Sequence, residues 1–435
     1  MNNSYKLNIY FNSLFVGVLK YDINTEVFDL EYSKMWQETS FPISPKLDFS
    51  KNYTSKDIKN YIENLFPEGD GLDTFIQYIQ ISKSNKFSLL KAIGNETSGA
   101  LSFISNDIKD IKTTFREIPL EELKARVKNR DKTPIFIWDN KPRLSVAGVQ
   151  EKLPICKIND IYGLADGDLA STHILKFEKS NYNLVLNKFL SLQLAKSVGL
   201  DIPNIDILEF DDELVLEVER FDRKYISDSK IEKLHIIDSC QALSLSPSFK
   251  YERNFGSQRD VKDIRQGVSF TKLKEILLQT KIPIISINKV LKWTIFNLII
   301  GNSDAHGKNI SFFVDSSGIS IAPFYDILNI LIYKGKFHTE LAMAIDDEFI
   351  IEKISAYDIA TFCYGLQTTP QIANKEFKNI SKFILKTFDD SSLIERCKRY
   401  DIDFINLYIK DVQKRIEYLH RHFDNAVKVN KEDIT

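Results

Sequence analysis

Asp304, Asn309 and Asp326 stand in the segment GNSDAHGKNISFFVDSSGISIAPFYDIL (residues 301–328), where apolar sequence arrives from both sides. A carboxylate plus an amide oxygen at this spacing suits Mg2+, a hard cation that takes oxygen ligands and keeps several waters. The chemistry that asks for little else is phosphoryl transfer. It needs an orienting base for the acceptor hydroxyl, ligands for magnesium, a lysine on the phosphates and backbone N–H groups around them. Each of these residues alone has an ordinary structural explanation, because Asp and Asn beside Gly are common turn residues.

The order of the parts carries more information than any single part. Protein kinases run glycine loop, strand lysine, helix, hinge, Asp-x-x-x-x-Asn loop and metal aspartate along the chain. Here Gly148 lies in SVAGVQEK and Lys176 in the strand THILKF. ERFDR (residues 219–223) then stands between two regions of different texture. Asp304-x-x-x-x-Asn309 follows a long apolar helix, and the strand pair ISFFV and ISIAP, turned at 315–318, delivers Asp326.

The elements that must hold these residues are legible in the hydrophobic pattern. Residues 5–32 alternate as a small antiparallel sheet, and residues 55–107 read as helical. A charged connector, FREIPLEELKARVKNRDKTPIF, follows. Strands are expected at LPICKI, THILKFE, NIDILEF and ELVLEVE, with INDIYGLADGD as a turn-rich link. YNLVLNKFLSLQLAKSVG reads as a helix ended by Gly199. Beyond ERFDR the pattern predicts helices at 236–245, 270–280, 286–299, 355–367, 378–388 and 402–424. The expected class is α+β: a bilobal protein-kinase-like fold, with a β-rich small lobe and a helical large lobe, behind an N-terminal α+β accessory module. The expected boundaries are 1–110, 111–222 and 223–435.

Composition sets outer limits. The chain has 435 residues, and 43% of them are hydrophobic, enough for a sizeable core. The formal charge of -2 leaves no global field toward nucleic acid or anionic lipid. Cys156, Cys240, Cys363 and Cys397 are far apart with no CxxC pair, which argues against a disulfide framework or zinc site and fits a reducing cytoplasm. No signal-peptide pattern opens the chain. The greasiest stretch, residues 282–300, carries Lys289 and Lys292, each costing about 2.5–3.5 kcal/mol at a bilayer centre, so it reads as a buried helix. No membrane role is expected.

SVAGVQEK, STHILKF, ERFDR, SCQAL followed by KYE, GNSDAHGKN and APFYD together resemble the HipA family of serine/threonine kinase toxins. NLFPEG (64–69) and IGNETSGAL (93–101) are similar to that family's leading segment. The resemblance covers residues 5–335 by motif. It implies an ATP- and Mg2+-dependent serine/threonine kinase, the toxin of a toxin–antitoxin pair. Its protein substrate would belong to the translation machinery, such as an aminoacyl-tRNA synthetase. A HipB-like helix-turn-helix antitoxin would restrain it, and DNA would be reached only through that partner.

Residue by residue, the resemblance makes Asp304 the catalytic aspartate and Asn309 and Asp326 the metal ligands. Lys176 would meet the phosphates, and Glu219, Arg220 and Phe221 would meet adenine through their backbone. Val146, Ala147, Gly148, Val149, Gln150 and Lys152 would line the phosphate loop. His306 and Lys308 fall inside the nucleotide-binding motif without an assigned role. Ser145 matches a serine that the family phosphorylates in itself. One position departs: the helix after Lys176 reads Asn187-Lys188 where the family has Asn-Glu, so either another acid such as Glu178 partners Lys176, or that pair is dispensable, or the chain is catalytically weak. Alternative readings are a small-molecule or lipid kinase, or a catalytically weak nucleotide-binding protein.

Overall fold

The computed structural model describes residues 4–94, 97–105, 112–143, 151–178, 182–211, 213–333, 335–389 and 391–434. Ser145 and the phosphate-loop residues Val146, Ala147, Gly148, Val149 and Gln150 lie outside the described residues. The chain forms two compact units. The first comprises Met1–Phe177, Asn204–Pro247 and Phe312–Gly318; the second comprises Glu178–Pro203, Ser248–Ser311 and Ile319–Thr435.

The two largest sheets of the first unit are antiparallel. The four-stranded one runs Val27–Tyr32, Leu14–Asp22, Ser4–Phe11, Leu101–Ile104. Residues 101–104 therefore correct the expectation of helix through 107. Four residues, LSFI, are too short to read as a strand without a partner, and the partner is the N-terminal strand. The six-stranded sheet runs Ile205–Phe210, Glu213–Glu219, His173–Phe177, Lys152–Ile158, Ile161–Asp166, Thr114–Glu117. The turn-rich link thus contains a strand. Asn159 and Asp160, both at positive φ, turn the chain into it, and Gly167, at φ +75, turns it out.

The charged connector is an element of this unit. Its helix, Leu120–Lys128, turns Leu123 and Val127 onto a core shared with Trp138, Leu153, Leu175, Phe177 and Val215. Residues 1–104 and 233–245 are joined within the unit by side chains that bond backbone. Asn12 exchanges two bonds with Lys233, and Asn60 and Asn64 donate to the carbonyls of Ser244 and Leu245 at 2.7 and 2.8 Å. Residues 236–238, expected to be helical, are a strand, and the helix there is the short Ser239–Ala242.

The second unit is helical. Its central helix, Pro283–Ile300, is long and apolar enough to cross a membrane but is packed in the core, with Trp293 stacked on Phe324 at 5.5 Å. Lys289 pairs with Asp201 and Lys292 with Glu376, both at 3.2 Å, which explains the two cations. Gly301 ends this helix at φ +78, and a Cβ there would lie 2.6 Å from the Arg415 guanidinium. The Leu184–Ser197 helix ends as the sequence predicts, with Gly199 N–H bonded to Lys196 O and Leu200 N–H to Ala195 O. Phe270–Leu277, Ala356–Gly365, Pro370–Asp389 and Ile402–Ala426 complete the expected helices. The α+β class is borne out.

Candidate active site

In the second unit the Pro283–Ile300 helix delivers residues 301–309 as a loop closed by one turn, Gly307–Asn309. Asn309 is buried, and its Oδ1 accepts from the backbone N–H of His306 at 3.1 Å. Asp304 remains half-exposed, with its Oδ1 accepting the Tyr251 hydroxyl proton at 2.7 Å. The chain then leaves as the strand Ser311–Asp315, turns where Asp315 accepts from Ser317 N–H, and returns as Gly318–Ile321. Ala322 N–H donates to Ser311 O at 2.9 Å, and the Tyr325 hydroxyl donates to Lys308 O at 2.6 Å. The residues adjoining Asn309 and Asp326 are thus tied to each other. Asp326 adopts the left-handed region at φ +58, a conformation that Asp tolerates better than most residues and that clusters at functional sites.

Asn309 and Asp326 offer hard oxygen donors, and the Asn309 carbonyl has a second lone pair beyond the one His306 uses. This donor set fits Mg2+. Among the described residues no group of three or more His, Cys, Asp or Glu side chains is placed to hold a metal, so the Asn309 amide oxygen is an essential member of this set.

KYE, residues 250–252, carries no role that its residue types announce. Residues 250–252 form a strap on the loop: Gly307 N–H donates to Lys250 O at 3.0 Å, and Glu252 N–H to Ala342 O at 2.9 Å. Ala342 N–H in turn donates to Ser303 O. Glu252 is buried, which pushes its carboxyl up, while the Ala344 N–H and Arg265 oppose that shift. Tyr251 is therefore aimed at Asp304 by its neighbours on both sides, and its ring meets His306 edge-on at 5.2 Å. The spacing between SCQAL and GNSDAHGKN carries no signal that could have found this contact.

Lys188, the departure from the family pattern, pairs with Asp326. Glu178 accepts the backbone N–H groups of Leu184 and Val185 at 2.8 and 3.0 Å, serving the start of a helix whose N-cap Asn183 makes no side-chain cap.

In the first unit Lys176 lies directly opposite Lys152 across one antiparallel pair and opposite Leu216 across the other. Directly opposed residues share a face with Cβ atoms about 4.5–5.5 Å apart, so two of the expected phosphate contacts are juxtaposed. The expected hinge is heavily bonded. Glu219 N–H donates to Asn204 O and Arg220 N–H to Thr172 O. The Arg220 guanidinium grips Asp222 at 2.9 and 2.8 Å and reaches Ser171 at 2.8 Å. Phe221 meets Phe313 edge-on.

The HipA-like C-terminal domain matches residues 144–388, and the HipA N-terminal domain matches residues 7–104. The chain belongs to the HipA family. It is 41% identical to the serine/threonine-protein kinase toxin HipA of Shewanella oneidensis, over 94% of this chain and 98% of that one. It is 29% identical to the putative kinase Y4mE of Sinorhizobium fredii, over 89% of this chain and 92% of that one. Among solved structures, the Shewanella oneidensis complex of HipA, HipB and operator DNA contains a chain matching at TM-score 0.86 and 39% identity. The match covers 98% of this chain and 100% of that one. The protein is a HipA-type serine/threonine-protein kinase toxin of a toxin–antitoxin system, with the HipA fold.

Proposed function

We propose that this kinase uses ATP and Mg2+ and phosphorylates a component of the translation machinery, such as an aminoacyl-tRNA synthetase. The single observation that supports the site is the tether of Tyr325 to Lys308, which gathers the Asp304–Asn309 loop with Asp326. Asp304 orients the acceptor hydroxyl and takes up its proton. Asn309 and Asp326 hold the magnesium, which when bound neutralises charge on the transferring phosphoryl group. Lys152 and Lys176 lie opposite one another on one face of the sheet, and two cations so placed suit an anion such as a triphosphate. Glu219, Arg220 and Phe221 meet adenine, and the 146–150 loop, with His306 and Lys308 near the catalytic loop, completes nucleotide binding.

Ser145 is the self-phosphorylation site. A phosphoserine adds about -1.5 to -2 charge, which would repel nucleotide phosphates and switch the kinase off. A HipB-like helix-turn-helix antitoxin is the partner in the cytoplasm, with operator DNA reached through it. Residues 1–110 carry none of the chemistry and serve regulation or partner contacts. A catalytically weak nucleotide-binding protein is the second reading, favoured by the Lys188–Asp326 pair.

One experiment separates these readings. The purified chain is incubated with labelled Mg·ATP and a panel of translation proteins, beside an Asp304→Asn control, and phosphosites are mapped by mass spectrometry. Transfer to a translation protein and to Ser145, lost in the control, is expected. Nucleotide binding without transfer to any protein would favour the second reading.

A further inference from the structure

Lys188 is held in place by an asparagine beside it. Asn187 is fully buried, its Nδ2 donates to Asn329 O and to the Tyr333 hydroxyl at 2.9 Å each, and its Oδ1 accepts from Asn329 N–H at 2.8 Å. Asn329 is itself fixed, since it is buried and its Nδ2 donates to Asp411 at 2.9 Å. These bonds fasten the Leu184–Ser197 helix to the residues that follow Asp326, one position away from the ion pair. The Lys188 side chain is 7% exposed, whereas that of Asp326 is 36% exposed. The lysine therefore meets Asp326 from the protein side, and the carboxylate keeps a face toward solvent.

An ammonium this deeply placed needs a counter-charge, because burying it unpaired is costly. Asp326 supplies that charge and is also the carboxylate proposed for the metal. One negative charge thus serves two cations, and a divalent ion approaching Asp326 meets a fixed positive charge behind it.

We propose that Lys188 is a positioning residue that sets the metal affinity of Asp326, so that this protein takes up its divalent cation together with nucleotide and binds the ion poorly without it. The inference rests on the reading of Asp326 as a metal ligand. The electrostatics are simple. Beside Lys188, Asp326 presents almost no net charge to a dication. A nucleotide triphosphate brings several negative charges, and these restore the attraction that the lysine removes. Lys188 acts on the metal through its ion-pair partner Asp326.

Manganese serves as the probe, with unbound ion counted by electron paramagnetic resonance in the full-length wild type, Lys188→Met and Lys188→Arg. Without nucleotide, Lys188→Met should bind Mn2+ about tenfold more tightly than wild type, and Lys188→Arg, which keeps the charge, should stay near wild type. With a non-hydrolysable ATP analogue the three proteins should converge. Equal Mn2+ affinities for wild type and Lys188→Met in the absence of nucleotide would overturn the proposal.

Should Lys188→Met not fold, the wild type decides by NMR of its 15N-labelled lysine ammonium groups, with the Lys188 signal assigned by its loss in Lys188→Arg. That signal should move on adding the Mg2+–analogue complex and hold still with Mg2+ alone. Movement with Mg2+ alone, or none with the complex, would overturn it. An Asp326→Asn protein that takes up Mn2+ with nucleotide as well as wild type would instead sink the metal assignment itself. The Lys188 comparison cannot produce that result.

Discussion

Asp222 in the first unit and Asp304 in the second are both carboxylates held by hydrogen-bond donors, and they are used in opposite ways. Asp222 is buried and accepts two bonds from Arg220, one from Arg223 and one from the Gly99 N–H. Burial alone would push its carboxyl up, but the two guanidiniums outweigh burial and hold it far below the ordinary carboxylate range. A carboxylate has about four acceptor sites, and four donors converge on this one, three of them on Oδ2. Asp304 is half-exposed and accepts one phenolic proton. The difference teaches which aspartate is available for chemistry. A saturated carboxylate is a bolt joining Gly99 to the Arg220–Arg223 segment, while an undersaturated one can still take a proton from an acceptor hydroxyl.

The sharpest way to break this comparison is to neutralise both kinds of aspartate. Asp304→Asn should lower the rate of phosphoryl transfer about 10³-fold or more, because it removes a charge organised for the transition state. Its stability should change by less than about 1 kcal/mol, as expected for a half-exposed side chain. Asp222→Ala should do the reverse. It leaves Arg220 and Arg223 without their buried counter-charge, a loss of about 3–5 kcal/mol, measured by urea unfolding. An Asp222→Ala chain as stable as wild type would show that the bolt carries no load.

The next effect is a dependence on pH. His235 is buried with its Nε2 against Ile43 O at 2.8 Å, and burial, partly opposed by that bond, pushes its pKa down to about 4. The unfolded value is about 6.5, so between pH 6.5 and 4 the unfolded chain binds the extra proton. The contribution is therefore fully present above pH 6.5 and is lost as pH falls toward 4, on the order of 3 kcal/mol in all. Asp222, with its lowered pKa, adds stability that is present above about pH 4 and is lost only in stronger acid. Urea unfolding from pH 7 to 4.5 should show a shallower loss in His235→Gln than in wild type. Identical slopes would remove His235 from the account.

What the sequence made legible follows the range of the forces involved. The class, the Gly199 helix end, the buried 283–300 helix and the Asp304–Asn309 spacing all rest on local pattern, and all appear in the structure. The strands at 101–104 and 236–238 did not, because a short strand is set by its partner and not by its own residues. Lys188 was legible as an oddity only. Its partner Asp326 is 138 positions away, and nothing in NKFLSLQLAK names it. ERFDR was legible as a junction, but its two arginines turned out to bond the aspartate within the motif itself.

The smallest expected effect is at Tyr251, and it sharpens what undersaturation means. The phenol donates to Asp304 Oδ1 at 2.7 Å while its ring rests edge-on against His306. Tyr251→Phe removes the donor and keeps the ring. A charge-assisted bond is worth about 1.5–3 kcal/mol when shielded, and less at an exposed carboxylate, so the rate constant for transfer should fall about fivefold to tenfold. KM for ATP should not move, since Tyr251 orients the acceptor-side aspartate and not the nucleotide. A merely structural tyrosine would alter stability and leave the rate constant for transfer in place. A Tyr251→Phe enzyme with an undiminished rate would mean that Asp304 is oriented by the loop alone.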